Sequence, residues 1–439
     1  MTTDQELACL QADPPQTYWN DLAGLLANTS AARHGARLRV DRGFAAPEPD
    51  PRAPTRCRVS IPRRTLRDLR DRLRLTRWPG QVAATPWESG TDLGFLRRLV
   101  DYWQHGFDWA EQERAINALP QYRARVSGHD IHFIHVRGNG PAPFPLVLTN
   151  GWPSSFLEYR RILSLLADPA AHGGDACDAF DVVIPSLPGY GLSSPPQAPG
   201  VHVGRIAEMW DELMTKVLGY PAYGAHGSDL GVGVSSALAL SAPHHVAGLH
   251  LTSVTGSTIV RDLGDDAPPL TDAERDFREA AAAWVESEGA YSHLQRTKPQ
   301  TLTYALHDSP VGLAAWMVEK YRTWSDCDGV VERRFSFDDL LTTITLYWAT
   351  GSIGPSMHLY YEGRLHPIRL APGERIEVPC GVALFPRDLT RPPREWGERA
   401  YRITRWTEMP RGGHFPAHEE PELLAVELRD FFRDLRRGD

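Results

Sequence analysis

The chain has 439 residues, of which 42% are hydrophobic and 23% charged, and it carries a formal net charge of −8. This is the balance of a soluble globular protein of two or three domains, and its acidic charge excludes a nucleic-acid partner, which would need a basic face. No apolar run reaches the roughly 18 residues that span a bilayer, residues 1–31 show no signal-peptide core, and five scattered cysteines without a C-x-x-C pair suggest neither disulfides nor zinc. The expected setting is cytoplasmic and reduced, with no membrane anchor. The basic side chains are almost all Arg, with Lys at positions 216, 298 and 320 only, a skew that fits codon usage more than function.

Residues 1–44 are mixed in pattern, and the run Ala45-Ala46-Pro47-Glu48-Pro49-Asp50-Pro51 reads as a Pro-rich linker. Leu66, Leu69 and Leu73 form one apolar stripe opposite an Arg-rich face, the pattern of a helix whose charges are solvated. Further helices are expected over Leu93–Trp103 and Trp109–Leu119, with Trp78, Trp87, Trp103 and Trp109 as packing groups. From residue 122 the period changes. Tyr122–Val126 and Ile131–Val136 flank Ser127-Gly128, a hairpin signal. Short apolar strands at 145–149, 181–185, 222–225, 246–254 and 381–385 then alternate with helices, which argues a parallel sheet buried on both faces. Between Thr255 and about Arg375 the strand rhythm stops, and a helical, aromatic-rich segment reads as a cap inserted between core strands. A terminal helix is expected over Glu420–Arg437. The resulting division is 1–54, extension and linker; 55–121, helical region; 122–254 and 376–439, the two parts of an α/β core; and 255–375, the cap.

One pentapeptide carries the chemistry. Gly227-Ser228-Asp229-Leu230-Gly231 follows an apolar strand and precedes a small-residue helix over 231–242, the form of a nucleophile elbow. Asp at its apex makes no acyl-enzyme. It can attack a saturated carbon to give an alkyl ester, which narrows the reaction to epoxide opening or carbon–halogen displacement. Ser228 sits beside the apex, so a serine esterase is the weakest alternative.

Four further features fall where an Asp nucleophile needs them. His414, in Arg411-Gly412-Gly413-His414-Phe415 before the terminal helix, suits a water-activating base. Asp388, after an apolar strand, suits the carboxylate that orients it, with Glu395 and Glu398 as rivals in a helical stretch. Asn150-Gly151-Trp152-Pro153 ends a strand where an oxyanion hole is built, so the backbone amides of Trp152 and Leu230 are its expected donors, and the Trp152–Pro153 bond is a candidate for the cis form. A phenol in the cap would ease alkoxide formation; Tyr291, Tyr304, Tyr321, Tyr360 and Tyr361 are available, and the residues alone do not choose among them.

With these residues assembled, the chain resembles the microsomal-type epoxide hydrolases of the α/β-hydrolase superfamily from about residue 57 onward. The resemblance rests on Ile61-Pro62, Trp78-Pro79, Trp87 and Asp92-Leu93, then Gly151-Trp152-Pro153-Ser154-Ser155-Phe156, Pro188-Gly189-Tyr190-Gly191-Leu192-Ser193 and Thr297-Lys298-Pro299-Gln300-Thr301. It continues through Asp308–Trp316 and Arg411–Phe415. It implies Asp229 as nucleophile, His414 as base, Asp388 as its acid partner, and Tyr291 and Tyr360 as donors to the epoxide oxygen, with Tyr361 as rival to Tyr360. Trp152 and Pro153 would also touch substrate. Three departures stand out: Asn150 replaces the family's usual His, Leu230 its frequent Trp, and Asp388 a Glu of some relatives, a shorter arm expected to slow the hydrolytic half. The expected activity is a cofactor-independent hydrolysis of a hydrophobic or aromatic epoxide to a vicinal diol, with the small-molecule epoxide and water as partners and room for a homodimer. The alternatives are a haloalkane or haloacid dehalogenase, which Leu230 disfavours because it offers no side-chain N–H to halide, and a silent ligand-binding relative.

Overall fold

The computed structural model describes residues 53–82, 85–254, 259–261 and 268–436, with 259–261 described at the backbone only. The expected extension and linker thus lie outside the described residues apart from 53 and 54, as do the first residues of the expected cap.

Nine strands form the main sheet: β1 (Thr55–Arg56), β2 (Gln121–Val126), β3 (His129–Val136), β4 (Phe144–Thr149), β5 (Phe180–Pro185), β6 (Tyr223–Gly227), β7 (Val246–Leu251), β10 (Ile376–Leu384) and β11 (Tyr401–Glu408). Their order is β1-β2-β3-β5-β4-β6-β7-β10-β11. The first three are antiparallel to their neighbours, and every pair from β5 to β11 is parallel. The β2–β3 hairpin turns at Ser127 and Gly128, both at positive φ, as a tight turn between right-twisted strands demands.

The chain crosses from β4 to β5 on one side and from β5 to β6 on the other, so β4 and β6 flank the point where strand order reverses. Crevices beyond the carboxyl ends of such strands are where α/β sheets hold ligands. Thr149 stands opposite Gly227 in register, and the loops that follow both strands therefore emerge at one level.

Both faces of the sheet are covered, as the continuous apolar strands require. Helices Val203–Glu212 and Leu230–Ser241 bury Ile206, Trp210, Val234 and Leu238 on one face; helix Pro421–Arg436 buries Leu424, Leu428 and Phe432 on the other. The N-terminal helices Arg63–Arg74, Leu93–His105 and Trp109–Asn117 turn their apolar stripes inward, and Trp103 donates its indole N–H to Thr345 Oγ1 at 3.0 Å. Between β7 and β10 run helices Asp272–Glu288, Ala290–Thr297, Pro299–Asp308, Pro310–Trp324, Phe337–Thr350 and Ile353–Leu365, a helical cap inserted between core strands.

Four strands depart from the sequence expectation, the first being β1, which opens the segment read as helical over 55–121 and pairs with β2. Within the cap segment, read as wholly helical, β8 (Ile259–Arg261) and β9 (Ile368–Leu370) pair in parallel. β11 was not anticipated because it alternates as Tyr-Arg-Ile-Thr-Arg-Trp-Thr-Glu: an edge strand half open to water has the period of two and not a continuous apolar run. Among the described residues no helix is long and apolar enough to cross a membrane.

Candidate active site

The elbow forms as its residue types require. Asp229 adopts φ 51° and ψ −123°, a conformation costing a non-glycine residue about 1–3 kcal/mol and found mainly at functional sites. It survives because the surroundings leave no alternative. A Cβ on Gly231 would come within 1.9 Å of the Thr149 carbonyl oxygen, so the helix can approach the sheet this closely only with glycine there. Ser228 N–H donates to Thr149 O at 3.0 Å and pins the turn to β4. The Asp229 carboxylate consequently sits before the first turn of helix Leu230–Ser241, where the helix dipole favours negative charge.

The loop after β4 closes over it. Trp152 N–H donates to Asp229 Oδ1 at 2.8 Å, the Trp152–Pro153 peptide is cis, and a Cβ on Gly151 would fall 1.9 Å from Asp229 Oδ1 and 2.6 Å from Leu230 N. One carboxylate oxygen thus accepts the Trp152 amide, with the Leu230 amide close to the same Gly151 position.

His414 and Asp388 arrive on adjacent strands. Arg387 and Gly413 form an isolated parallel bridge past the ends of β10 and β11, reinforced by Arg387 N–H donating to Gly412 O at 3.1 Å. That bridge brings His414 Nδ1 to 2.6 Å from Asp388 Oδ1 and His414 Nε2 to 3.1 Å from Asp229 Oδ2. The shorter arm of Asp388 therefore reaches the imidazole fully. Burial disfavours the imidazolium, but Asp388, by attraction and hydrogen bonding, and Asp229 together outweigh it and hold the His414 pKa well above its usual value. The rival carboxylates are engaged elsewhere: Glu395 accepts from Thr271 and Glu398 from Arg394.

The tyrosines separate cleanly. Tyr291 and Tyr360 are buried, with ring centroids 6.2 Å apart, and both line the same wall as Trp152, which stacks on Tyr291 at 5.5 Å and meets Tyr360 edge-on at 6.3 Å. Burial lifts both phenols far above the ordinary value and the Asp229 charge adds to it; the Tyr360 hydroxyl acts the other way on Tyr291. Tyr361 instead packs against Arg364 and His358, Tyr304 is 72% exposed, and Tyr321 donates to Pro153 O at 3.3 Å behind the loop. Of the five, Tyr291 and Tyr360 alone share the wall with Trp152.

Sequence reasoning missed Trp324 and Glu158. Trp324 packs 5.1 Å from His414 and 5.0 Å from Tyr291, and its carbonyl accepts the His414 N–H at 2.8 Å; a Trp at the end of a cap helix carries no signal of this. Glu158 is buried behind the oxyanion loop, its Oε1 without a hydrogen-bond partner, beside a cavity of about 30 Å³ lined by Ser154, Tyr321 and Thr343.

A family model for the epoxide hydrolase N terminus matches residues 54–159, and one for the alpha/beta hydrolase fold matches 144–303. A putative epoxide hydrolase of Stigmatella aurantiaca is 41% identical over 383 residues, covering 86% of this chain and 84% of the relative. The chain belongs to the epoxide hydrolase family. Epoxide hydrolase 1 of Oryctolagus cuniculus is 37% identical over 390 residues, 83% of this chain and 86% of the relative. Among solved structures, juvenile hormone epoxide hydrolase from the silkworm Bombyx mori aligns with a TM-score of 0.75 at 27% identity, covering 88% of this chain and 95% of that one. Aspergillus niger epoxide hydrolase aligns at 0.74, also at 27% identity, covering 87% and 97%. Membership fixes the enzyme class as hydrolase and favours epoxide opening over halide displacement.

Proposed function

We propose that this member of the epoxide hydrolase family converts a hydrophobic or aromatic epoxide to a vicinal diol through an ester on Asp229. The single observation that carries the reading is one carboxylate bound by an imidazole and by the Trp152 amide, with two buried phenols packed on that same tryptophan. Asp229 Oδ2 attacks a ring carbon while the C–O bond breaks, and its electron pair stays on the epoxide oxygen, which takes a proton from Tyr291. Tyr360, hydrogen-bonded to the same oxygen, shares the developing charge.

Alkylation changes the electrostatics of the site. Once Asp229 is an ester, one of the two carboxylates that hold His414 protonated has lost its charge, and the imidazole sheds its proton. It then becomes a base at the moment a base is required. Held by Asp388, His414 removes a proton from water, the hydroxide adds to the ester carbonyl, and the oxyanion on Oδ1 is received by the amides of Trp152 and Leu230. Collapse releases the diol and restores the carboxylate. The aromatic wall of Trp152, Trp324 and the two tyrosines supports an apolar or aromatic substrate, and no step calls for a cofactor.

A single turnover in ¹⁸O-water tests the route. Heavy oxygen should enter the Asp229 carboxylate, and the first diol should carry none; label appearing directly in the diol would rule out the ester. The free thiols of Cys57, Cys177, Cys327 and Cys380 fit the cytoplasmic location that the reading includes, and self-association as a homodimer is a separate proposal that sedimentation decides.

A further inference from the structure

We propose that Lys320 is a positioning residue for the ring-opening step, holding its ammonium over Tyr291 so that the phenol can release its proton to the epoxide oxygen. The inference rests on the reading of Tyr291 as the proton donor and adds a residue to which no role has yet been given.

Lys320 lies on helix Pro310–Trp324 and is buried, its side chain 7% exposed. Its Nζ stands 4.9 Å from the centroid of the Tyr291 ring and 5.8 Å from that of Trp324, and it pairs with Glu319. A chain with 47 basic residues that uses Arg almost everywhere keeps Lys here. The compact ammonium fits against a ring face, whereas a guanidinium spreads its charge over a plane.

Tyr291 needs this help. The charged groups that act on it are Asp229, Asp388 and Glu319; all three are anionic and all oppose a phenolate, as does burial. Glu288 adds a further carboxylate near Lys320 and Glu319. Among the described residues Lys320 is the one cation over the Tyr291 ring. Charge interactions are strong in a site so poorly hydrated. As the C–O bond breaks and the proton moves from the Tyr291 hydroxyl to the epoxide oxygen, negative charge grows on the phenol under the ammonium. The phenolate keeps that counter-charge until it is reprotonated by the proton that His414 gives up after alkylation. Trp324 links the same ammonium to the wall beside His414.

The test measures alkylation and ester hydrolysis separately by rapid quench, trapping the Asp229 peptide, with methyloxirane and trifluoromethyloxirane as probes. Attack at the CH₂ of each leaves a strongly basic alkoxide in the first and a weakly basic one in the second. Lys320→Met should slow alkylation of methyloxirane 10- to 100-fold, that of trifluoromethyloxirane less than fivefold, and hydrolysis less than twofold. Lys320→Arg, which keeps the charge but spreads it over a plane, should recover only part of the loss. Glu319→Gln, which keeps the ammonium and removes an opposing carboxylate, should speed alkylation two- to fivefold and serves if Lys320→Met does not fold. Equal losses on both oxiranes, or alkylation within threefold of the parent, would overturn the role of Lys320. Tyr291→Phe distinguishes the two levels: if it alkylates at the parent's rate, the donor assignment itself has failed; if it is slow while Lys320→Met is not, only the present inference has.

Discussion

His414 Nε2 lies 3.1 Å from Asp229 Oδ2, so the base proposed for the second half-reaction is ion-paired with the nucleophile proposed for the first. The pair, with Asp388 behind it, holds the imidazole protonated well above its ordinary range. Because the folded-state pKa is raised, this contribution to stability is complete below about pH 6.5 and is lost as pH rises through the folded value. Asp229→Asn mimics the neutral ester and should lower the His414 pKa markedly, as read from the imidazole resonances in an NMR titration. An unchanged titration would show that alkylation does not create the base. The same variant should stabilise the protein less than the parent does at pH 6 and by a similar amount at high pH.

The phenol pair makes a kinetic prediction. The Asp229 charge acts on both Tyr291 and Tyr360, and their hydroxyls interact with each other. Tyr291→Phe and Tyr360→Phe should each slow alkylation about 100- to 10,000-fold, the span of general-acid effects, and leave hydrolysis of a preformed ester nearly unchanged. Tyr361→Phe, whose ring lies against Arg364, should fall within twofold of the parent. Rapid-quench measurement of ester formation decides the matter, and an inactive Tyr361 variant would reverse the assignment.

The elbow, the oxyanion loop and the order Asp229, Asp388, His414 are legible in the sequence because each depends on local residue types: glycines around a forced turn, an X-Pro bond, a carboxylate just past an apolar strand. The buried parallel strands are legible for the same reason, since their apolar runs are continuous. β11 is not, because its alternating pattern reflects a sheet edge that only the assembled fold defines. Nor is the choice among tyrosines, which turns on how helices Ala290–Thr297 and Ile353–Leu365 meet. Trp324, Lys320 and Glu158 were invisible because nothing near them in sequence records what they touch. Their neighbours come from other segments of the chain: Tyr291 beside Lys320, His414 beside Trp324, and Tyr321 across the small cavity from Glu158.

Two glycines should fail in different ways. A Cβ on Gly231 meets first the Thr149 carbonyl oxygen, at 1.9 Å, whereas a Cβ on Gly151 meets first the Asp229 carboxylate, at 1.9 Å, and then the Leu230 backbone nitrogen at 2.6 Å. Backbone of a central strand cannot yield, so Gly231→Ala should cost about 3 kcal/mol or more, a loss of several degrees in Tm. The Asp229 side chain can rotate away. Gly151→Ala should therefore cost less stability than Gly231→Ala, the Leu230 backbone being the milder clash, and lose at least about 100-fold in alkylation rate, a penalty typical of a misplaced reacting group. Calorimetry and a turnover assay on both variants test the contrast; equal losses of fold and activity in the two would contradict it.

Glu158 offers a prediction about stability alone. Burial is the main influence on its carboxyl and pushes the pKa up to about 7, against opposing help from Ser154 and His414. The folded state then holds this proton more tightly than the unfolded chain, whose carboxyl titrates near pH 4.3. The sign follows: below about pH 4 the group costs nothing, the penalty grows as pH rises, and it is complete above about pH 7. Glu158→Gln keeps the shape and removes the charge, and the cavity of about 30 Å³ beside it is large enough for a water to meet the amide. Relative to the parent, the variant should gain about 3–4 kcal/mol at pH 8 and little at pH 4. Denaturant melts at the two pH values measure the difference directly; Glu419, itself pushed up to about 7, repels the Glu158 charge, so relief of that repulsion is part of the gain at pH 8. A gain independent of pH would mean that packing, and not the buried charge, sets the effect.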